Sequence, residues 1–171
     1  MEKLLARSIQ CIINMSEILD GLKVSANQPL YLYQQPMFDL TVSVVLIEDN
    51  GVIVVETGKS NHFPGGKVRA SKETIQFSAV RQIKEQTGIV LKKDALIPVD
   101  FRSSPERSPE GNVVDIGMVC ILNEPFKGFD NARWLEVDFE NQRFADDSYR
   151  LDIDHDVLLR RALDVALMMR S

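Results

Sequence analysis

The sequence predicts an α/β protein in which helices flank a mixed sheet, as in an α/β/α sandwich, with an amphipathic helix added at the N-terminus. Three features predict this class: two Val- and Ile-rich segments joined by a tight turn, a helix with one apolar stripe behind them, and a second amphipathic helix that closes the chain. Helices that alternate with strands cover the faces of a sheet. The 171 residues are enough for one domain with a full core.

The N-terminal residues 1–24 are predicted to form a helix of their own. Its apolar residues recur at helical spacing and form one stripe. This stripe has to be buried, either on the chain's own domain, in a homodimer, or against another partner. Residues 25–38 contain Pro29 and Pro36 and are predicted as a linker or edge strand, which leaves 39–171 as the main domain. The apolar residues that recur at helical spacing in the N-terminal segment are Leu5, Ile9, Ile12, Met15, Leu19 and Leu22.

β-strands are predicted at Leu40–Glu48 and Val52–Thr57, because both segments are rich in Val and Ile. Asp49-Asn50-Gly51 joins them and predicts a hairpin turn, since Asn-Gly tolerates positive φ angles. The other predicted elements are strands at 96–102, 113–122 and 132–137 and a closing helix at 154–170.

A helix is predicted from about residue 72 to residue 87, with Ser71 as its N-cap and Gly88 at its end. Two of its faces differ in character, because residues three and four positions apart lie on the same side of a helix. The apolar residues that form its buried stripe are Ile75, Ala79 and Ile83. The polar residues on the other face are Arg81, Gln82, Glu85 and Gln86.

The segment from Phe63 to Ile89 resembles the Nudix box, G-x(5)-E-x(7)-R-E-U-x-E-E-x-G-U with U aliphatic, which marks the Nudix hydrolase superfamily. Gln82 and Gln86 stand where the pattern has glutamates, and six residues rather than five separate Gly66 from the following glutamate. The resemblance implies a Nudix-like α/β/α sandwich. The residues that match the pattern are Glu73, Arg81, Ile83, Glu85, Gly88 and Ile89.

The resemblance also implies a chemistry, because the glutamates of this helix in Nudix enzymes collect Mg²⁺ beside a substrate diphosphate. It implies Glu85, Arg81 and Glu73 as catalytic residues, with Arg81 orienting the glutamate. The implied metal ligands are Glu85, Gln82, Gln86 and the backbone of Gly66. Because Mg²⁺ prefers carboxylate and water oxygens, the two amides predict that Mg²⁺ (or Mn²⁺) is weakly held.

Residues 40–170 are similar to one branch of the superfamily, the ADP-ribose pyrophosphatases and the NAD-metabolism regulators. The similarity rests on Arg107-Ser108-Pro109-Glu110-Gly111 before a strand, on Trp134, and on Asp154-His155 before the last helix. It implies that Arg107 binds phosphate. The regulators carry a winged-helix segment after the Nudix domain, whereas this sequence ends at Ser171, so direct binding to DNA is not expected.

Four residues are predicted to contact a ligand: Arg107, Arg102, Phe63 and Asp115. Arg102 and Arg107 flank a polar loop, where they either bind phosphate or are solvated. Phe63 either stacks on a nucleobase or belongs to the core. Asp115 points away from the apolar positions of its predicted strand and is expected to line the cleft.

Composition limits the partners of the chain. A net charge of −5 argues against binding of nucleic acid or an anionic membrane, since both need a basic face. No apolar run approaches the roughly 18 residues of a membrane-spanning helix. Cys11 and Cys120 stand alone, without Cys-x-x-Cys spacing, which is typical of a reducing compartment, so a cytoplasmic location is expected.

Two functions remain open at this point. The first is a Nudix-type hydrolase that cleaves the pyrophosphate of a nucleoside diphosphate linked to another moiety, with weak activity because of Gln82 and Gln86. The alternative is an inactive Nudix-fold module that binds or senses a nucleotide metabolite. Glu106 and Glu110 are candidates for a general base on the loop, although an acidic surface loop is the commoner explanation for such residues.

Overall fold

The structure is a computed structural model, and it describes residues 38–58, 60–69, 72–104, 112–152 and 154–170. The predicted N-terminal helix, the linker before residue 38 and the predicted N-cap Ser71 lie outside these ranges. Arg107 and the acidic residues Glu106 and Glu110 also lie outside them. The division into 1–24, 25–38 and 39–171 therefore stays a prediction.

One mixed sheet forms the centre of the described domain. Its strand order is β5-β6-β1-β2-β7-β8, with β3 paired to β2 and β4 paired to β1. β1 and β6 are parallel, whereas β1 and β2 are antiparallel. The strands are β1 Asp39–Glu48, β2 Gly51–Thr57, β3 Ser60–His62, β4 Gly65–Lys67, β5 Ile97–Arg102, β6 Val113–Ile121, β7 Ala132–Asp138 and β8 Arg143–Phe144.

The predicted hairpin is confirmed, because β1 and β2 pair directly across Asp49 and Asn50. Its turn differs in one detail from the expectation. The positive φ angle, 49°, belongs to Asp49, and Gly51 already pairs with Glu48 as the first residue of β2. The turn therefore depends on the tolerance of Asp49 for the left-handed region.

Two helices pack on the sheet: α1, Ile75–Thr87, and α2, His155–Arg170. Thr74 caps α1, since its hydroxyl accepts a hydrogen bond from the Phe77 backbone N–H at 3.3 Å. The predicted start at residue 72 was therefore wrong, whereas the predicted end is confirmed by Gly88 with φ of 71°. A short 3₁₀-helix, Lys93–Ala95, follows. Neither described helix is long and apolar enough to cross a membrane.

The two helices cover opposite faces of the sheet. α1 buries Ala79 and Ile83 against one face, which confirms its predicted stripe. α2 buries Leu158 and Ala162 against the other face, whereas Met169 near its end is 56% exposed. Alternate residues of β1 belong to the two cores: Val42, Val44 and Leu46 on the α1 side, Val45 and Ile47 on the α2 side. The predicted α/β/α sandwich is confirmed.

Candidate active site

Gly65 and Gly66 belong to the short strand β4. Gly65 pairs with Ser43 and Gly66 with Val42, so that β4 lies along β1. The two backbones are very close, because a Cβ atom on Gly65 would lie 2.2 Å from the Val42 carbonyl oxygen. Glycine is therefore required at this position, and it brings β4 against the end of α1.

Gln86 on α1 binds both hydrogen-bonding groups of Gly65. Its Oε1 accepts a hydrogen bond from the Gly65 backbone N–H at 2.9 Å, and its Nε2 donates to the Gly65 carbonyl oxygen at 2.8 Å. The same Nε2 donates to Gln82 Oε1 at 3.2 Å. Gln82 in turn lies over Gly66, where a Cβ atom would be 2.6 Å from the Gln82 Nε2. Two of the predicted metal ligands, Gln82 and Gln86, are thus joined by a hydrogen bond, and Gln86 is also bonded to Gly65.

Arg81 links Glu85, which lies on α1, to Glu73, which lies just before the helix. Its Nη2 and Nε donate to the two carboxylate oxygens of Glu73 at 2.6 and 2.9 Å, and its Nη1 donates to Glu85 at 3.1 Å. The hydrogen bonds from Arg81 to Glu73, followed by one from the Arg69 backbone N–H at 2.9 Å, lower the pKa of Glu73 from 4.5 to about 2. Glu73 also raises the pKa of Arg81. The three predicted catalytic residues are therefore adjacent, and Glu85 is the one with an exposed carboxylate, 51%.

The residues of this junction do not fit a Mg²⁺ site. Of the predicted ligands Gly66, Gln82, Glu85 and Gln86, only Glu85 carries a charge, and Arg81 holds one of its oxygens. Across the described ranges, no group of three His, Cys, Asp or Glu side chains is placed to hold a metal ion. Mg²⁺ takes its protein ligands mainly from carboxylates, whereas here the Gln86 amide already forms hydrogen bonds with Gln82 Oε1 and with Gly65.

Arg102 and Asp115, two of the predicted ligand-binding residues, form a buried ion pair. Arg102 is 8% exposed and Asp115 is 1% exposed, and Arg102 Nη2 lies 2.5 Å from an Asp115 oxygen. Arg102 Nη1 also donates to the Asp154 carboxylate at 2.8 Å. Thr41 and Ser43 donate to the other oxygen of Asp115. These contacts attach the start of α2 to β1, β5 and β6, and a ligand at Arg102 or Asp115 would have to displace one of them.

Phe63 lies in the core on the α2 side of the sheet, with 1% of its surface exposed. Its ring stacks on His155, the first residue of α2, at 5.6 Å between centroids. The Phe63 backbone N–H also donates to His155 Nδ1 at 3.0 Å. A nucleobase would reach the Phe63 ring only after this stack had opened. Of the two alternatives for Phe63, the structure therefore shows the core residue.

The sequence predicted the polar residues of α1 that lie together, but it did not predict two of the contacts at this site. Gly65, not Gly66, makes the backbone contacts with α1, and the Phe-Pro-Gly-Gly segment offered no signal for choosing between them. Asp154 stands directly before the last helix, but its hydrogen bond to Arg102 joins residues 52 positions apart, which no local pattern reveals. Two cavities, of about 790 and 820 Å³, border residues 87–92 and 141–151, respectively, and neither is lined by a predicted site residue.

The sequence matches the NUDIX domain family over residues 37–150. The ADP-ribose pyrophosphatase of Methanocaldococcus jannaschii is 30% identical over 136 residues, which cover 75% of this chain and 74% of that protein. The chain therefore belongs to the Nudix family. Its resemblance to this superfamily and to the ADP-ribose pyrophosphatase branch is confirmed, and Nudix hydrolases generally use divalent metal ions.

Solved structures show the same fold. A MutT/nudix family protein from Enterococcus faecalis matches with a TM-score of 0.67 at 22% identity, over 82% of this chain and 66% of that chain. The NUDIX domain of Shewanella oneidensis NrtR, solved in complex with ADP ribose, matches with a TM-score of 0.62 at 17% identity, over 82% of this chain and 95% of that chain. At these identities the likeness supports the fold alone.

Proposed function

We propose that this protein hydrolyses the pyrophosphate bond of a nucleoside diphosphate linked to another moiety, with ADP-ribose as the type of substrate. The observation that carries the proposal is the 30% identity to the Methanocaldococcus jannaschii ADP-ribose pyrophosphatase over three quarters of the chain. Hydrolysis adds water to one phosphorus of the diphosphate and releases the other as a phosphate monoester. From ADP-ribose, the products are AMP and ribose 5-phosphate.

The charges on α1 support a role for Glu85 in this reaction. Arg81 is held by two hydrogen bonds to Glu73, and it fixes one oxygen of Glu85, so the exposed carboxylate has a defined place on the helix. We assign the catalytic role to Glu85 and positioning roles to Arg81 and Glu73. Arg107 is proposed to bind the substrate phosphate, because a guanidinium group can donate two parallel hydrogen bonds to it.

A product-release assay tests the proposal. The panel holds ADP-ribose, NADH, nucleoside triphosphates and dinucleoside polyphosphates, each with Mg²⁺, with Mn²⁺ and with EDTA, so that the predicted weakly held ion is measured as well. We expect ADP-ribose to be cleaved, and we expect Glu85→Gln to lower kcat about 100-fold or more, as the loss of a positioned catalytic group does. Glu124→Gln removes an exposed loop glutamate instead, and it is expected to retain activity.

Two results would contradict hydrolysis at this site. Turnover that is unchanged in Glu85→Gln would assign the reaction to another group or to a contaminant. No turnover across the panel, with ADP-ribose still bound in a calorimetric titration, would indicate the nucleotide-binding module instead. The small-molecule partner is common to both functions, while the homodimer and the cytoplasmic location stay predictions.

A further inference from the structure

The Gln86 side chain makes contacts that a glutamate could not make. Its carboxamide has one acceptor and one donor end, and both meet the complementary groups of Gly65: N–H to Oε1 at 2.9 Å and Nε2 to C=O at 2.8 Å. Nε2 carries two hydrogens, and the second is donated to Gln82 Oε1 at 3.2 Å. A carboxylate has no hydrogen to donate, so glutamate at 86 would leave both of these oxygens facing another oxygen.

The oxygens that Gln86 joins are the type of ligand that a hard divalent cation takes. The Gly65 carbonyl oxygen and Gln82 Oε1 both accept a hydrogen bond from the same nitrogen, Gln86 Nε2, which belongs to an uncharged amide. Part of the junction is also covered, since Gln82 and Gln86 are both only partly exposed. Breaking one of these hydrogen bonds leaves a partly desolvated oxygen unpaired, which is unfavourable.

We propose that the Gln86 amide takes the structural place of a divalent cation at the junction of β4 and α1, which therefore forms without a metal ion. The Gln86 amide bridges the Gly65 backbone and Gln82, so β4 is attached to α1 by hydrogen bonds alone. Substitution of Gln86 by glutamate turns the bridging donor into a third acceptor. The junction then gathers several oxygens and a negative charge, and it requires a cation to hold them together.

Metal-dependent stability tests this proposal without any measurement of hydrolysis, so its outcome is independent of the proposed function. The proteins are the wild type, Gln86→Glu, the double variant Gln82→Glu/Gln86→Glu, and Gln86→Ala, which removes the bridge without adding a charge. Gln76→Glu is the matched control, since it makes the same chemical change at an exposed position near the start of α1. Thermal unfolding is followed in EDTA and in Mn²⁺, and Mn²⁺ binding is followed by electron paramagnetic resonance of the free ion.

The expected pattern separates the variants. Wild type and Gln76→Glu unfold at the same temperature with and without Mn²⁺. Gln86→Glu unfolds at a lower temperature in EDTA and recovers in Mn²⁺, and the double variant binds Mn²⁺ about tenfold tighter than wild type or more, since one tenfold step corresponds to only about 1.4 kcal/mol. Gln86→Ala is destabilised under both conditions.

Either of two results would overturn the proposal. The first is Mn²⁺ binding by the wild type that Gln86→Ala abolishes, because the amide would then be a ligand rather than a substitute for the ion. The second is Gln86→Glu that is as stable as wild type in EDTA and does not respond to Mn²⁺. If Gln86→Glu fails to fold in EDTA, refolding in Mn²⁺ decides: recovery supports the proposal, and continued failure contradicts it.

Discussion

Arg81 holds its two carboxylate partners with different strength. With Glu73 it forms a bidentate pair at 2.6 and 2.9 Å, and the Glu73 side chain is 12% exposed. With Glu85 it forms one hydrogen bond at 3.1 Å, and that carboxylate is 51% exposed. Bidentate arginine pairs are strong and directional, whereas exposed pairs at helical spacing contribute little to stability. Glu73 therefore holds Arg81 firmly, and Arg81 in turn orients the exposed Glu85 carboxylate through a single hydrogen bond.

Acid unfolding is expected to show the contribution of Glu73. Hydrogen bonds from Arg81 lower its pKa from 4.5 to about 2 in the folded protein, and these contacts are absent in the unfolded chain. A lowered folded-state pKa stabilises the protein above the unfolded pKa, and this stability is lost as the pH falls through the folded value. Between pH 4.5 and 2, the midpoint temperature of unfolding should therefore fall less in Glu73→Gln than in wild type.

The comparison isolates Glu73 because other acidic groups respond in both proteins. Hydrogen bonds also lower the pKa values of Asp138 and Asp146, so both proteins lose stability in acid. Only the difference between the two proteins in how steeply the midpoint temperature of unfolding falls with pH reports on Glu73. Equal slopes in calorimetric scans at several pH values would show that Arg81 does not stabilise the charged form of Glu73. Glu124→Gln corrects for the removal of one exposed carboxylate.

At the scale of single residues, sequence spacing predicted which side chains of α1 meet but not what they do. The contacts of Arg81 with Glu73 and Glu85 follow from positions within one box. The role of Gln86 depends on Gly65, which lies on a strand 21 residues earlier, and no periodicity carries that information. A pattern in which glutamate is expected indicates only that a charge is missing, whereas the structure shows what the amide binds.

Among the elements, the short strand β4 connects the sheet to the end of α1 at the site. Its three residues pair with Thr41, Val42 and Ser43 of β1, and the strand also carries the Gly65 groups that bind α1. The approach of β4 to β1 is close enough that Gly65 has no room for a side chain. The pairing of β4 therefore decides where the end of α1 lies.

Substitution of Gly65 by alanine is expected to destabilise the domain by about 3 kcal/mol, the upper part of the range for inserted groups that have no space. The new Cβ atom would lie 2.2 Å from the Val42 carbonyl oxygen and 2.9 Å from the Ser43 Cα, and these backbone atoms cannot rotate away. Urea unfolding at neutral pH measures the loss.

Gly58→Ala is the matched control for this substitution. Gly58 has φ of +63°, and a Cβ atom added there would have no described atom within 4 Å, so its cost is limited to the left-handed backbone, roughly 1–2 kcal/mol. A loss at Gly65 no larger than that at Gly58 would show that β4 can move away from β1 at little cost, and that its close pairing does not fix the site.

The sequence predicted the long elements and missed the short ones for a physical reason. β1 and β2 are rich in Val and Ile and join through a tight turn, so both are visible locally. β3, β4 and β8 have two or three residues each, and β4 pairs with the part of β1 that precedes its pairing with β2. Ser71 and Thr74 are both residue types that cap helices, and the choice of Thr74 depends on the local backbone.

At the scale of the whole domain, both faces of the sheet are covered by helices. This explains why Arg102 and Asp115, which were predicted to contact a ligand, are buried in contacts with each other and with the start of α2. Alternation along β6 showed correctly that Asp115 points away from Met118 and Cys120. It could not show that α2, which begins 40 residues later, covers that second face. Gly117 on the same face would bring a Cβ atom within 2.4 Å of Leu158 on α2. The buried Arg102–Asp115 pair is therefore a connection between the sheet and α2.

His155 makes that connection between the sheet and α2 sensitive to pH. Burial, followed by the nearby positive charge of Arg102, lowers the pKa of His155 from 6.5 to about 4. Its Nδ1 accepts a hydrogen bond from the Phe63 backbone N–H, which requires that nitrogen to be unprotonated. The unfolded chain takes up the proton at about pH 6.5, so the folded state loses stability as the pH falls from 6.5 toward 4. This window lies mostly above the window of Glu73.

His155→Gln separates the titration from the packing, because an amide oxygen can accept the Phe63 hydrogen bond but takes up no proton in this range. We expect the variant to be less stable than wild type at pH 7, because the stack on Phe63 is lost. Its urea midpoint should change less than that of wild type between about pH 6.5 and 4.5. The same measurement on His62→Gln reports any share of the other histidine, whose ring lies 6.4 Å from that of His155. If the urea midpoint of His155→Gln changed with pH as much as that of wild type, the loss of stability would belong to other groups. The attachment of α2 to the sheet would then not depend on the protonation of His155.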